Sequence, residues 1–206
     1  MNVELLNALT NFTSPGVFNP WSSRDESDCA GLGHDGRKRR LLKHFDCDPI
    51  MILIGEAPGY LGCRFSGVPF TSEKLILGGK IPRVTEPRRL TTPELPFSER
   101  SATAVWSVLD ELGIADRVVM WNAFAWHPHE AGNPYSNRTP SRAELDAGLP
   151  ILCGVLKMFS GVPVVPVGRK AEKALMDLGV EALPWVIHPS RRPSLFREQL
   201  RTRFIS

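Results

Sequence analysis

Four residue types capable of joint chemistry sit at turns of this 206-residue chain: a carboxylate, an aromatic ring, an amide and an imidazole. Glu56 lies in Gly55-Glu56-Ala57-Pro58-Gly59, directly after the apolar run Ile52-Leu53-Ile54. Phe70 ends Gly67-Val68-Pro69-Phe70, which begins eight residues beyond Gly59. Asn122 stands in Trp121-Asn122-Ala123-Phe124, and His188 opens His188-Pro189-Ser190. A strand that ends in a Gly/Pro turn bearing an acid, followed by a turn that presents a ring, suits a pocket sandwiching a flat ring beside a carboxylate. A side-chain amide both donates and accepts hydrogen bonds, and an imidazole can donate to a developing oxyanion.

These residues need a scaffold, and the hydrophobic pattern supplies one. Apolar runs at Ile50–Ile54, Val118–Ala123, Val162–Val167 and Leu183–Ile187 read as strands. Helical patterns at Arg37–Phe45, Ser98–Leu112, Arg169–Leu178 and Ser194–Phe204 alternate with them, after a short helix at Val3–Leu9. Ser141-x-x-Glu144 is a capping box that opens a helix running to Phe159, with Pro150 inside it. Residues 78–97 hold four prolines and no periodicity, and read as a long loop. Strands alternating with helices imply right-handed crossovers and a mostly parallel sheet. The expected fold class is therefore α/β, a three-layer sandwich with a central four-stranded sheet flanked by helices, in one domain spanning residues 1–206. Sites in such sheets form at the carboxyl ends of the strands, where Glu56, Asn122 and His188 fall.

Composition narrows the partners. Hydrophobic residues are 42% of the chain and charged residues 23%, as in globular proteins. No apolar run approaches the roughly 18 residues of a transmembrane helix, and Met1–Phe12 lacks a basic segment and contains Glu4, so a cytoplasmic protein with no membrane partner is expected. The net charge of +3 is mild, but Arg37-Lys38-Arg39-Arg40, Arg88-Arg89 and Arg191-Arg192 form separate basic clusters that could follow a phosphate backbone. Cys29, Cys47, Cys63 and Cys153 form no CxxC pair and read as free thiols.

The motifs Gly55–Gly59, Gly67–Phe70, Trp121–Phe124, Asn137-Arg138-Thr139-Pro140, Val167-Gly168-Arg169 and His188–Ser190 occur in the order found in the uracil-DNA glycosylase superfamily. The chain resembles that superfamily over about 150 residues from position 50 onward, most closely its iron-sulfur family four. The resemblance implies a DNA-repair enzyme that flips uracil from the duplex and hydrolyses its N-glycosidic bond, leaving an abasic site. It implies Glu56 and His188 as catalytic, and Ala57, Phe70 and Asn122 as uracil-binding. Phe70 would stack on the flipped ring, and Asn122 would match the O4/N3 edge of uracil, which cytosine reverses. His188 would donate to O2, and Glu56 would orient or deprotonate water or stabilise the sugar cation. Ser190, Arg191, Arg192 and Arg169 would hold DNA, with Arg191-Arg192-Pro193 as the loop that wedges into the stack. DNA containing uracil or an abasic site is the expected partner, acted on by a monomer.

The sequence also departs from family four. That family holds a four-iron cluster on four cysteines, and the later two fall here on Trp126 and Gly148, neither of which can ligate iron. No metal and no cofactor is therefore expected, with Trp126 filling the space. Gly59 leaves open a position where some relatives carry a bulky Tyr against the thymine methyl, and Tyr60 is a neighbouring substitute. The alternative reading is a non-catalytic binder of uracil-containing or abasic DNA. A phosphate-holding turn is disfavoured because the Gly55–Gly59 turn lacks GxGxxG or GxxxxGK[ST] spacing.

Overall fold

In the computed structural model, which describes residues 1–85, 88–190 and 192–205, the chain alternates strands and helices. In order these are α1 (Val3–Asn11), β1 (Val17–Phe18), α2 (Gly33–His44), β2 (Met51–Gly55), α3 (Cys63–Ser66), α4 (Glu73–Leu77) and α5 (Arg100–Glu111). There follow β3 (Val118–Asn122), β4 (His127–Pro128), α6 (Arg142–Met158), β5 (Val164–Pro166), α7 (Arg169–Asp177) and α8 (Pro193–Ile205).

The central sheet is parallel, in the order β3–β2–β5, and Gly55 pairs with Asn122 at its carboxyl end. Every residue of β2 and β3 is buried, because helices cover both faces. Met51, Leu53, Val118 and Met120 point to one layer, where Trp106 and Leu109 of α5 and Phe196 and Leu200 of α8 pack. Ile52, Ile54, Val119 and Trp121 point to the other, against Leu9 of α1, Leu41 of α2, Leu152 of α6 and Leu175 of α7. The three-layer α/β expectation matches this arrangement.

The expected fourth strand needs correction. Leu183–Ile187 forms one parallel bridge with the sheet, Val167 to Val186, beside a bond from Leu183 N–H to the Val164 carbonyl (2.8 Å). Gly168 N–H donates to the Val186 carbonyl (2.7 Å) and Val186 N–H to the Pro166 carbonyl (2.9 Å). Pro166 and Pro184 have no N–H to give, so a regular ladder cannot extend along this edge. Among the described residues the sheet is three-stranded with a bridged fourth segment. A small antiparallel pair, β1 with β4, lies apart from it.

The capping box forms as the sequence requires: Ser141 accepts from Glu144 N–H, and the Glu144 carboxylate accepts from Ser141 N–H. The described residues of the 78–97 segment contain no helix or strand, yet a buried carboxylate anchors it. Glu73 accepts from Leu90 N–H (2.6 Å) and from the Thr91 hydroxyl. The run Arg37–Arg40 is not a uniform surface cluster. Arg37 and Arg40 are fully buried. Arg37 is paired with Asp28, and Arg40 donates to the Arg88 carbonyl (2.9 Å). Their charge is spent on internal acids and carbonyls, the condition under which guanidinium groups can be buried. No helix among the described residues is long and apolar enough to cross a membrane.

Candidate active site

A cleft of about 620 Å³ opens at the carboxyl end of the sheet. Glu56, Ala57, Phe70, Asn122, Arg169 and His188, named from the sequence, all line it. Three strand ends and the turn after Gly67 deliver them. The β2–β3 register sets Gly55 beside Asn122. A β-carbon on Gly55 would lie 2.5 Å from Asn122 Oδ1 and 2.7 Å from Phe70 Cζ. Only glycine lets the amide and the ring approach one another here.

Phe70 is largely buried and has φ of 49°, a left-handed backbone that a bulky residue seldom adopts. Trp106 Nε1–H donates to its carbonyl (3.0 Å) and helps fix the turn. Its ring centroid lies 6.3 Å from that of His188. The Asn122 side chain is 3% exposed and borders the cleft. Ser190 stands over the imidazole: its hydroxyl lies 2.8 Å from His188 Nδ1, and its N–H donates to the same nitrogen at 3.4 Å. A nitrogen that accepts an N–H carries no proton, so in the neutral ring the hydrogen sits on Nε2. Gly168, with φ of 91°, brings the next segment within 3.4 Å of the His188 side chain, measured to an added β-carbon.

Glu56 is half-buried at the rim, with Lys170 Nζ 3.6 Å from its Oε2. Lys170 also donates to Thr139 Oγ1 (2.6 Å), and Asn137 Oδ1 accepts from Tyr60 N–H (2.9 Å). The Asn137–Pro140 turn thus braces both the acid's counter-ion and the loop that carries the acid. Arg138 pairs with Glu144, which pulls that carboxyl down to about 2. Arg169 lies over the Trp185 ring, 4.9 Å from its centroid. Arg192 is exposed. Arg191 lies outside the described residues.

Among the lining residues that the sequence reading did not assign to the site, three carry groups that bear on its chemistry. Asn137 belongs to a motif noted only as a landmark, and Lys170 directly follows another. Glu99 is the third, a carboxyl placed against Gly59 and Gly62. Burial pushes it above the ordinary range, opposed by a hydrogen bond from Ser101. Tyr60, named as the neighbour of Gly59, is not among the residues lining the cleft.

The residues at the family-four cluster positions do not fit an iron-sulfur group. Trp126 stacks face to face on Phe12 (3.6 Å, 11°) and meets Phe124 edge-on (5.3 Å, 70°). A β-carbon on Gly148 would lie 3.1 Å from Phe124 Cδ2. Rings fill the volume, and the indole N–H is already donated to the Leu9 carbonyl (2.9 Å). Among the described residues no cluster of three or more His, Cys, Asp or Glu is arranged to hold a metal ion.

Residues 42–204 match the model of the uracil DNA glycosylase superfamily. Among solved structures the chain is similar to wild-type SMUG2 of Pedobacter heparinus, with a TM-score of 0.66 and 16% identity over 98% of this chain and 95% of that one. At that identity the likeness speaks for the fold. No curated protein matches the sequence.

Proposed function

The chain belongs to the uracil DNA glycosylase superfamily, and from that premise we propose that its cleft takes up a uracil flipped from DNA and hydrolyses the bond to deoxyribose. The observation that carries this reading is the convergence of the Asn122 amide oxygen and the Phe70 ring on Gly55 at the carboxyl end of the sheet. Phe70 stacks on the base. The Asn122 amide donates to O4 and accepts from N3–H, so cytosine, which presents the reverse pattern, is refused. As the C1′–N1 bond breaks, its electron pair passes to the base and positive charge builds on the sugar. The His188 Nε2–H stabilises the anion at O2. Water attacks C1′ and gives its proton to Glu56, whose charge also favours the sugar cation.

Lys170 beside Glu56 offers a cation to a flanking phosphate. Arg169, Ser190, Arg191 and Arg192 are assigned to the DNA backbone and the vacated stack, with Ser190 also orienting His188. The product is an abasic site, and the enzyme acts as a monomer in the cytoplasm without strand-cleaving chemistry.

The test is release of uracil from an oligonucleotide with one uracil opposite guanine. Asn122→Ala is expected to lower single-turnover release by about 10²–10³-fold, the scale of removing one well-placed polar contact in a closed site, while binding an abasic-site duplex much as before. Binding without release by the unaltered protein would favour the alternative, a non-catalytic reader of damaged DNA. Neither binding nor release would leave the fold without this function.

A further inference from the structure

The cleft has a neighbour. A groove of about 350 Å³ runs between α5 and the start of α8. Ser98 and Glu99 part the two: Glu99 lines the cleft, whereas Ser98 lines the groove. The loop after the bridged segment parts them a second time, with His188 at the cleft and Pro193 at the groove.

The groove is lined for an anion. Arg100, Thr103 and Ser107 stand on successive turns of α5 and share one face of it. Arg100 is exposed and forms no ion pair among the described residues. Arg197 lines the groove from α8. Its Nε lies 2.7 Å from Glu111 Oε2, and Arg201 Nη2 lies 3.0 Å from Oε1 of the same carboxylate. One acid thus answers two guanidinium groups, and Arg100 adds a third. Thr103 Oγ1–H donates to the Glu99 carbonyl (3.2 Å), but the exposed Ser98 and Ser107 hydroxyls have no partner among the described residues. Glu99 holds the N-cap position of α5 yet makes no capping hydrogen bond, because its carboxyl turns to Gly59 and Gly62. The positive end of the α5 dipole is therefore left without a side-chain cap beside the groove. A phosphate supplies what this lining lacks: a counter-charge for Arg100, and acceptors for the hydroxyls and the helix end.

Position says which phosphate. A side chain that fills a vacated stack has the extruded base on one side and the orphaned partner base on the other. The loop assigned to that task, Arg191-Arg192-Pro193, likewise follows the cleft at His188 and reaches the groove at Pro193. The cleft takes the strand that loses its base, so the groove falls to the other strand. Resting on the glycosylase reading, we infer that the α5–α8 groove binds a backbone phosphate of the strand complementary to the uracil. Such a contact fixes the register of the duplex without reading its sequence. A single strand has no phosphate to place there, so the groove favours uracil in a duplex.

The test measures equilibrium binding of an oligonucleotide with one 2′-fluoro-deoxyuridine, which resists cleavage, as a single strand and opposite guanine in a duplex. Single-turnover release from the matching uracil oligonucleotides is measured beside it. The unaltered protein should bind the duplex about tenfold or more tightly than the single strand. Arg100→Gln should cut that ratio about fivefold and lower the duplex slope of log affinity on log salt by about 1. Ser107→Glu, which sets a carboxylate at an exposed position of the groove, should cut the ratio at least as far. Methylphosphonates, each removing the charge of one phosphate, are then placed singly along both strands. One position or two adjacent ones on the complementary strand should cost the unaltered protein about tenfold, and Arg100→Gln under about threefold. An unchanged ratio in both variants overturns the assignment, as do equal affinities of the unaltered protein for both DNAs or an Arg100-dependent position on the uracil strand. Uracil release with no complementary position tied to Arg100 removes the groove and leaves the glycosylase. Arg100-dependent binding of the complementary strand without release from any oligonucleotide overturns the glycosylase reading and leaves the groove standing.

Discussion

Five consecutive residues, Asn122 to Trp126, feed two regions built on opposite terms. Asn122 faces a cleft walled by glycines, a strained Phe and polar side chains. Phe124 and Trp126 enter a dry stack with Phe12, closed by Gly148. In the stack, volume is filled and the one polar hydrogen is donated within the protein. In the cleft, volume is kept open and polar groups are left for a ligand. Glycine serves both, but differently. Gly148 admits a ring of this protein, whereas Gly55 clears the approach of the two groups assigned to the base. Packed residues here report on stability and open ones on function, so substitutions two or four positions apart should have separable effects.

The sharpest break in that contrast is expected from Trp126→Ala. It removes a fully buried indole and its hydrogen bond, and should cost about 3–5 kcal/mol of stability in denaturant unfolding. A loss under about 1 kcal/mol would mean that the aromatic stack does not support this layer. Gly55→Ala lies on the other side. Its β-carbon would collide with Asn122 and Phe70 together, and the repacking should cost about 1–3 kcal/mol. Base release should fall at least tenfold at protein concentrations where the variant is folded. Near-normal release would show that the amide and the ring need not meet at Gly55.

A further effect should appear with pH, from two imidazoles in the packed interior. Burial lowers the His44 imidazole to about 3, where it accepts Met120 N–H (2.9 Å). Burial and the Arg64 charge lower His127 to about 4. Both are neutral when folded and take up protons near 6.5 when unfolded. Their contribution is therefore complete above about pH 6.5 and declines as the pH falls toward 4 and then 3. Unfolding free energies measured between pH 7 and pH 4 should decrease, with a shallower slope in His127→Gln. An unchanged slope in that variant would remove His127 from the acid response.

Much of this was legible before folding. Alternating apolar runs and helical stripes identify the α/β class because a doubly covered parallel sheet requires continuous apolar strands. Ser141-x-x-Glu144 carries its own cap geometry. The motifs around Glu56, Phe70, Asn122 and His188 lead to one cleft, since strand ends of a parallel sheet converge in space. Other features depended on partners distant in the chain. The edge at Leu183–Ile187 became a single bridge because Pro166 and Pro184 met there. The basic run at Arg37–Arg40 lost two members to the interior because Asp28 and the Arg88 carbonyl waited for them. The Glu99 carboxyl reached the cleft only because Phe97 stacks on Phe65, 32 positions away in the chain. A local sequence states what each segment prefers. Which buried acid meets a guanidinium and which is left facing a ligand is a matter of long-range contact, and only the tertiary structure decides it.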